Sequence, residues 1–411
     1  ILLLLTFLLT FNLSYLSLIY LLNPFIVMLV TLINYPVEYL VKRYYTLAAK
    51  RKLRKLDSLV KVAITGSFGK TSTKDIIYSL LEKKYITLKT PASYNTIMGL
   101  TKVINSKLNT LTEVFVCEMG ATHNKEIEEM TKLIKPKFRL ITDVGFQHIS
   151  TFKTLENVLN AKFELLKTEY EGSTIILNGD NQMIKDASLN FKDVIYYGIN
   201  TNNTFNARSI KININNTSFD IYHFDKYVLS IKTKLLGLHN VKNILASYAL
   251  VKALKKVNIK ISDKEFKEVI ESIEPTIHRL NYKLVNNIHI YDDSYNANIV
   301  GFKNSVDVLK KINFKKIIIT PGIVDTGKMT KKINEEVAEY IENVFEKIYI
   351  IDNESGKYIY DKLKHLDYVH LFSSFKEAYQ DVVNNHKEEI ALLIANDLPD
   401  NYLVRRKKNG K

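Results

Sequence analysis

The segment Thr65-Gly-Ser-Phe-Gly-Lys-Thr-Ser72 has the residue types needed to hold a phosphate. Glycines allow the backbone to approach an anion closely, amides at the start of a helix point at it, and a lysine after the last glycine reaches terminal phosphate oxygens. Gly66, Ser67, Gly69, Lys70, Thr71 and Ser72 are therefore candidate phosphate-binding residues. The spacing is not that of the general phosphate loop, because the position five before Gly69 is Ile64 rather than glycine. Magnesium takes hard oxygen ligands and sits between nucleotide phosphates and one or two protein groups. Thr71 and Glu118, which ends an apolar run, supply such oxygens. The chemistry of His148 leaves a structural and a ligating role equally open. Lys162 reads as an exposed helical lysine, since a cation repels a metal. Asn240 and Asn243 share one face at the start of a helix. No convincing Ser/His/Asp or Cys/His set accompanies them, so no covalent nucleophile is expected.

The elements that must position these residues follow from pattern. Val62–Thr65, Val114–Glu118, Leu140–Thr142 and Thr174–Leu177 are short β-branched runs and read as buried strands. Lys70–Glu82 and Leu155–Leu166 read as helices. This alternation predicts a mainly parallel sheet covered by helices, with ligands at the carboxyl edge of the strands. A second α/β set begins near Arg279, with strands at Ile288–Asp292, Lys316–Thr320, Lys347–Ile351 and Ile390–Ile394. Residues 1–22 are uncharged and leucine-rich, long enough to cross a hydrocarbon core. Asn23 and Pro24 are expected to break this helix, leaving Phe25–Tyr35 as a shorter, tilted second one. Lys42, Arg43, Lys50, Arg51, Lys52, Arg54 and Lys55 follow. Basic residues beside a span stay on the cytoplasmic side and can bind anionic headgroups. A secretory signal would need a basic leading region and a small-residue cleavage site, and neither is evident. The expected organisation is a membrane-anchoring segment at 1–41, a basic linker at 42–58, a central domain at 59–278 and a C-terminal domain at 279–411.

Several further segments join the phosphate loop in a fixed order: TPASYNTIMG, CEMGA, DVGFQHIS, AKFEL, LNGD, GLHNVKNILA, IHRL and DDSYNAN. Together with TGSFGKTSTK they resemble the Mur ligases, which add amino acids to the peptide of bacterial cell-wall precursors. The resemblance runs from about Val62 to Gly327. It implies a P-loop ATPase domain followed by a Rossmann-like α/β domain, and an amide-forming reaction through an acyl phosphate. It implies ATP and two magnesium ions as cofactors. Lys70, His148 and Lys162 become catalytic residues, with Lys162 carbamylated. Thr71, Glu118, His148 and Lys162 become metal ligands. Thr90 and Asn95 fall on the substrate side, Asn240 and Asn243 by the adenine, and Arg279 and Asp293 at the phosphates and ribose after domain closure. The implied partners are a muramoyl-peptide carboxylate and an amino-acid or dipeptide amine.

DDSYNAN and PGIVDTGK are most similar to the family member that transfers D-alanyl-D-alanine to a UDP-linked muramoyl tripeptide. Three features depart from that pattern. The hydrophobic segment stands where the UDP-sugar domain is expected, Ile299 replaces a proline, and ANDLPDNY replaces a Lys-Gly-Ser-Arg type motif. A lipid-linked carboxylate is the alternative substrate, and a non-catalytic ATP-binding regulator the alternative function. One cysteine excludes the relative that carries a cysteine cluster, and also excludes any internal disulfide. Folylpolyglutamate synthase shares the implied fold but gives no reason for an anchor.

The chain has 411 residues, 46% hydrophobic, with a net charge of +15. This positive charge is spread along the chain without an aromatic-plus-basic module, so no nucleic-acid partner is expected. The first residue is Ile, as in a processed product or a reading frame that starts upstream. The expectation is a monomer at the cell membrane with its catalytic domains in the cytoplasm.

Overall fold

The computed structural model describes residues 13–396, apart from 92–93, 146–148, 169, 171, 296–297, 325 and 387. The first described element is a helix, α1, spanning Leu13–Arg54. It corrects the expectation of two helices and a linker. Pro24 and Pro36 lie inside it, and its basic C-terminal turns are helical as well. A proline deletes one backbone donor and bends a helix, but leucine-rich sequence on both sides continues it. From Leu22 to Arg54 it is long and apolar enough to cross a membrane by length and composition. Its last turns dock on the first α/β unit, where Ala49 and Leu53 are buried.

That unit is built on a nine-stranded sheet of order β2-β3-β1-β4-β5-β6-β7-β8-β9. The strands are β1 (Val60–Thr65), β2 (Thr87–Lys89), β3 (Val114–Glu118), β4 (Phe138–Ile141), β5 (Thr174–Asn178), β6 (Val194–Gly198), β7 (Phe205–Ile212), β8 (Thr217–His223) and β9 (Lys226–Thr233). Pairing is parallel as far as β7, in line with the alternating pattern. The β7–β9 meander is antiparallel and was not legible as such. Val62 and Ile64 pack beneath the helices α2 (Lys70–Leu81) and α8 (Leu238–Leu254). On the opposite face, Ala63, Phe115 and Cys117 lie under α3 (Ile97–Lys107), α4 (Glu126–Ile134) and α6 (Leu155–Phe163). Both faces are covered, which is why these strands are continuously apolar. The short helices α5 (Ile149–Phe152) and α7 (Gln182–Ala187) lie in connections, and α9 (Asp263–Ser272) follows α8 under a Ser262/Glu265 capping box.

The second unit has a six-stranded sheet of order β10-β11-β15-β12-β13-β14. Its strands are β10 (Asn281–Val285), β11 (Ile288–Asp293), β12 (Lys315–Thr320), β13 (Lys347–Ile351), β14 (Val369–Phe372) and β15 (Ile390–Ala395). Only the β10–β11 hairpin is antiparallel. Helices α10 (Ile299–Lys310), α11 (Thr330–Ile341) and α12 (Glu354–Leu363) pack on one face, and α13 (Phe375–Asn385) on the other. The two units touch where Tyr291 Oη donates to the Ile214 carbonyl at 2.8 Å and Leu236 joins the core of the second unit.

Candidate active site

Strand β1 ends at Thr65 and α2 starts at Lys70, so the phosphate loop spans the gap between a strand's carboxyl end and a helix N-terminus. Gly69 has φ +77°, a left-handed conformation, and a Cβ there would stand 2.6 Å from Asn243 Oδ1. At Gly66 a Cβ would collide with Thr142 Oγ1 at 2.1 Å. The loop is braced from β4: Ser67 N donates to the Asp143 carbonyl at 2.7 Å, and Thr142 Oγ1 donates to the carbonyls of Thr65 and Phe68. Lys70 Nζ donates to the Gly66 carbonyl at 2.7 Å and the Ser67 carbonyl at 3.1 Å. Burial lowers the Lys70 pKa; Glu118 opposes this and Arg279 adds to it.

Glu118 lies at the end of β3, paired in parallel register with Ile64. It is 2% exposed. Its Oε2 accepts from Thr71 Oγ1 at 2.9 Å and from Lys74 Nζ at 3.0 Å. Asn95 Nδ2 donates to Oε1 at 3.4 Å. Thr90, expected on the substrate side, is buried, and its hydroxyl accepts from Glu118 N at 3.0 Å. It fixes the strand end and does not line the cavity described below.

Lys162, in the last turn of α6, is 1% exposed, which corrects the reading of a surface lysine. Burial, with the nearby Lys70 charge, pushes its pKa down to about 7. A group buried this deeply loses hydration of its charged form, so the neutral amine is favoured. The Asn pair serves the loop: Thr73 Oγ1 donates to Asn243 Oδ1 at 3.2 Å, Asn243 Nδ2 donates to Asn240 Oδ1 at 3.3 Å, and Asn240 Nδ2 donates to the Leu236 carbonyl at 2.8 Å. His148 lies outside the described residues.

The second unit closes the site. Arg279 is exposed just before β10, its guanidinium 5.0 Å from the centre of the Tyr295 ring. Asp293, at the end of β11, is buried; it accepts from Leu280 N at 3.0 Å and from Ser305 Oγ. A cavity of about 660 Å³ lies between the units, lined by Lys70, Glu118, Lys162, Asn243, Arg279 and Asp293 among others. Ser67, Gly69, Thr71, Ser72, Asn95 and Asn240 also reach it, whereas Gly66 does not. Its volume suits a nucleotide-sized ligand.

Sequence reasoning missed Lys74, although its position three after Thr71 puts both on one helix face. It also missed Asp143, whose carboxyl is raised by burial and accepts from Asn181 Nδ2 at 2.6 Å. The donor set fits a magnesium polyphosphate: cations and helix-start amides for the phosphates, a hydroxyl and a carboxylate for a hard cation. Among the described residues no group of three His, Cys, Asp or Glu side chains could hold a metal alone.

Comparison with known proteins agrees with this geometry. Residues 64–251 match the Mur ligase middle domain, and residues 278–396 match the Mur ligase glutamate ligase domain. The chain belongs to the Mur ligase family. Members of this family are ATP-dependent ligases that form amide bonds, with ADP and phosphate as products. The UDP-N-acetylmuramoyl-tripeptide–D-alanyl-D-alanine ligase of Buchnera aphidicola (from Acyrthosiphon pisum) is 28% identical over 335 residues, 77% of this chain and 71% of that protein. The Bacillus subtilis ligase of the same name is 26% identical over 297 residues, 71% of this chain and 62% of that protein. The chain thus spans between about three fifths and seven tenths of these relatives. The structure of MurF ligase from Thermotoga maritima in complex with ADP superposes with a TM-score of 0.77 at 23% identity, covering 87% of this chain and 80% of that one. That likeness establishes the Mur ligase fold of the central and C-terminal units.

Proposed function

We propose that this chain joins D-alanyl-D-alanine to the terminal carboxylate of a muramoyl tripeptide, using ATP. The observation that carries the proposal is the convergence of Lys70, Glu118, Lys162 and Arg279 on one cavity between the units. The names of the similar ligases support the substrate pair.

In this reading a substrate carboxylate oxygen attacks the γ-phosphorus of ATP and ADP leaves, giving an acyl phosphate. The amine then attacks the acyl carbon, loses a proton, and phosphate departs as the amide forms. Lys70 and the amides opening α2 stabilise the charge that gathers on the transferring phosphoryl group. Thr71 and Glu118 would hold magnesium, which supplies Lewis-acid polarisation of phosphoryl oxygen when bound. Lys162, its pKa lowered to about 7, has a substantial neutral fraction near pH 7, and the neutral amine is the form that takes up carbon dioxide. As a carbamate it would present an anion to the metal region instead of a repelling ammonium. Arg279 and Asp293 meet the nucleotide from the second unit, and closure of the cleft protects the acyl phosphate from water. Asn95, beside Glu118, faces the carboxylate substrate.

The exposed apolar α1 supports a second part of the reading. The chain sits on the cytoplasmic face of the membrane as a monomer, with the basic turns of α1 against anionic lipid. The same helix favours a lipid-linked carboxylate as the competing substrate. ADP release tested with a UDP-linked and a lipid-linked muramoyl tripeptide, each with and without D-alanyl-D-alanine, separates the two. Release that ignores both peptides and dipeptide would overturn the ligase reading. Lys70→Ala is expected to abolish turnover while leaving the melting temperature close to that of the wild type, because the residue opens α2 beside the cavity and its loss opens no core cavity. Wild-type turnover by that variant would remove the phosphate-loop assignment.

A further inference from the structure

Glu118 has an unusual neighbour for a carboxylate that is to meet a metal. Lys74 is 1% exposed and forms an ion pair with the same oxygen, Oε2, that accepts from Thr71. Thr71 and Lys74 stand three residues apart on α2, so one helix face delivers the hydroxyl and the ammonium together. Lys70, Lys162 and Arg279 line the same cavity. The Glu118 charge is therefore offset by Lys74 before any nucleotide arrives.

We infer that Lys74 is a positioning residue that makes metal binding conditional on nucleotide. Resting on the ligase reading above, the inference adds an order of assembly. With Oε2 engaged by Lys74 and Thr71, the carboxylate is held in one orientation and has little net charge to offer a free divalent cation. A polyphosphate supplies the missing negative charge, so the cation enters as its nucleotide complex. The arrangement also limits unproductive capture of a free cation at the place where the phosphates must dock.

The probe is Mn²⁺, followed by electron paramagnetic resonance on the full chain in detergent at pH 8, with and without ADP. In the wild type, ADP is expected to tighten Mn²⁺ binding at least about tenfold, the scale of one unit charge within a few ångström of a divalent ion even at high dielectric. Lys74→Met removes the charge but keeps the length, so Mn²⁺ without ADP should bind about tenfold tighter than to the wild type. Lys74→Arg should behave as the wild type, and the double variant Lys74→Met/Glu118→Gln should lose the gain. Equal Mn²⁺ affinity in the wild type with and without ADP overturns the inference. So does a folded Lys74→Met variant with no gain. If Lys74→Met fails to fold, Lys74→Gln keeps a donor to Oε2 without charge, and the wild-type comparison remains decisive in any case. A fluorescent ADP analogue distinguishes the failures. No binding of the analogue defeats the ligase reading, whereas analogue binding with nucleotide-independent Mn²⁺ defeats only the conditional metal site.

Discussion

Lys162 is the residue whose environment differs most from its sequence context. Its pKa falls to about 7 against 10.5 for an ordinary lysine, through burial and the Lys70 charge. Between these values the folded chain binds fewer protons than the unfolded one, so the contribution of this group to stability rises with pH across that window. Lys162→Met does not titrate. In bicarbonate-free buffer it is expected to gain stability over the wild type below pH 7, with the gap narrowing towards pH 10. Urea midpoints at several pH values measure this, and a gap independent of pH would mean the lysine is ordinary. Activity tests the same residue differently. Lys162→Ala is expected to lose about a hundredfold or more in ligation rate, the scale of a lost electrostatic stabiliser. A small carboxylic acid in the buffer should restore part of it by occupying the position proposed for the carbamate.

At the scale of elements, α1 changes character along its length. Its apolar stretch is exposed, while its C-terminal turns are bonded to the first unit. Lys52 Nζ donates to the Asn105 carbonyl at 3.0 Å, Asn105 Nδ2 donates to the Tyr45 carbonyl at 3.1 Å, and Lys42 pairs with Glu129 at 3.2 Å. The surface pair contributes little by itself; Ala49 and Leu53, buried against α3 and α4, contribute more. Deleting residues 1–41 is therefore expected to release the protein from membranes in a sedimentation assay while leaving its melting temperature close to that of the full chain. Deleting residues 1–58 removes Ala49, Leu53 and Leu56 from the core and should cost more than the roughly 2–5 kcal/mol of truncating one buried leucine. A 1–41 deletion that still sediments at high salt would show that the apolar stretch is not the main anchor.

At the scale of the whole molecule, the cavity exists only because the second unit brings Arg279 and Asp293 over the phosphate loop. Asp293 is committed to Leu280 N and Ser305 Oγ, so it also holds together the first turn of its own unit. Arg279 is exposed and packs on Tyr295, and its replacement should leave the fold intact. Arg279→Ala is expected to weaken ATP binding by about tenfold or more, as for loss of one hydrogen bond to a charged group. Isothermal titration with a non-hydrolysable ATP analogue measures this, and unchanged affinity would place the guanidinium away from the nucleotide.

The phosphate loop, the two α/β units and the parallel core of the first sheet were legible in the sequence. Each is a local pattern: glycines and lysine at a strand-to-helix turn, and apolar runs alternating with amphipathic ones. The antiparallel β7–β9 meander was not, because nothing local states which neighbour a strand will choose. The continuity of α1 was not legible either, because a proline's local signal does not state whether the apolar helix around it continues. Long-range placement decided the rest. Asn243 meets Thr73 across 170 positions of sequence, and Lys74 meets Glu118 across 44. Lys162 becomes a low-pKa amine only when α6 packs it into the interior beside Lys70. Sequence by itself determined which chemical groups are available and which elements carry them. Tertiary structure decided which groups lose water and which charges stand together, because desolvation and Coulomb interaction depend on distance in space, not along the chain.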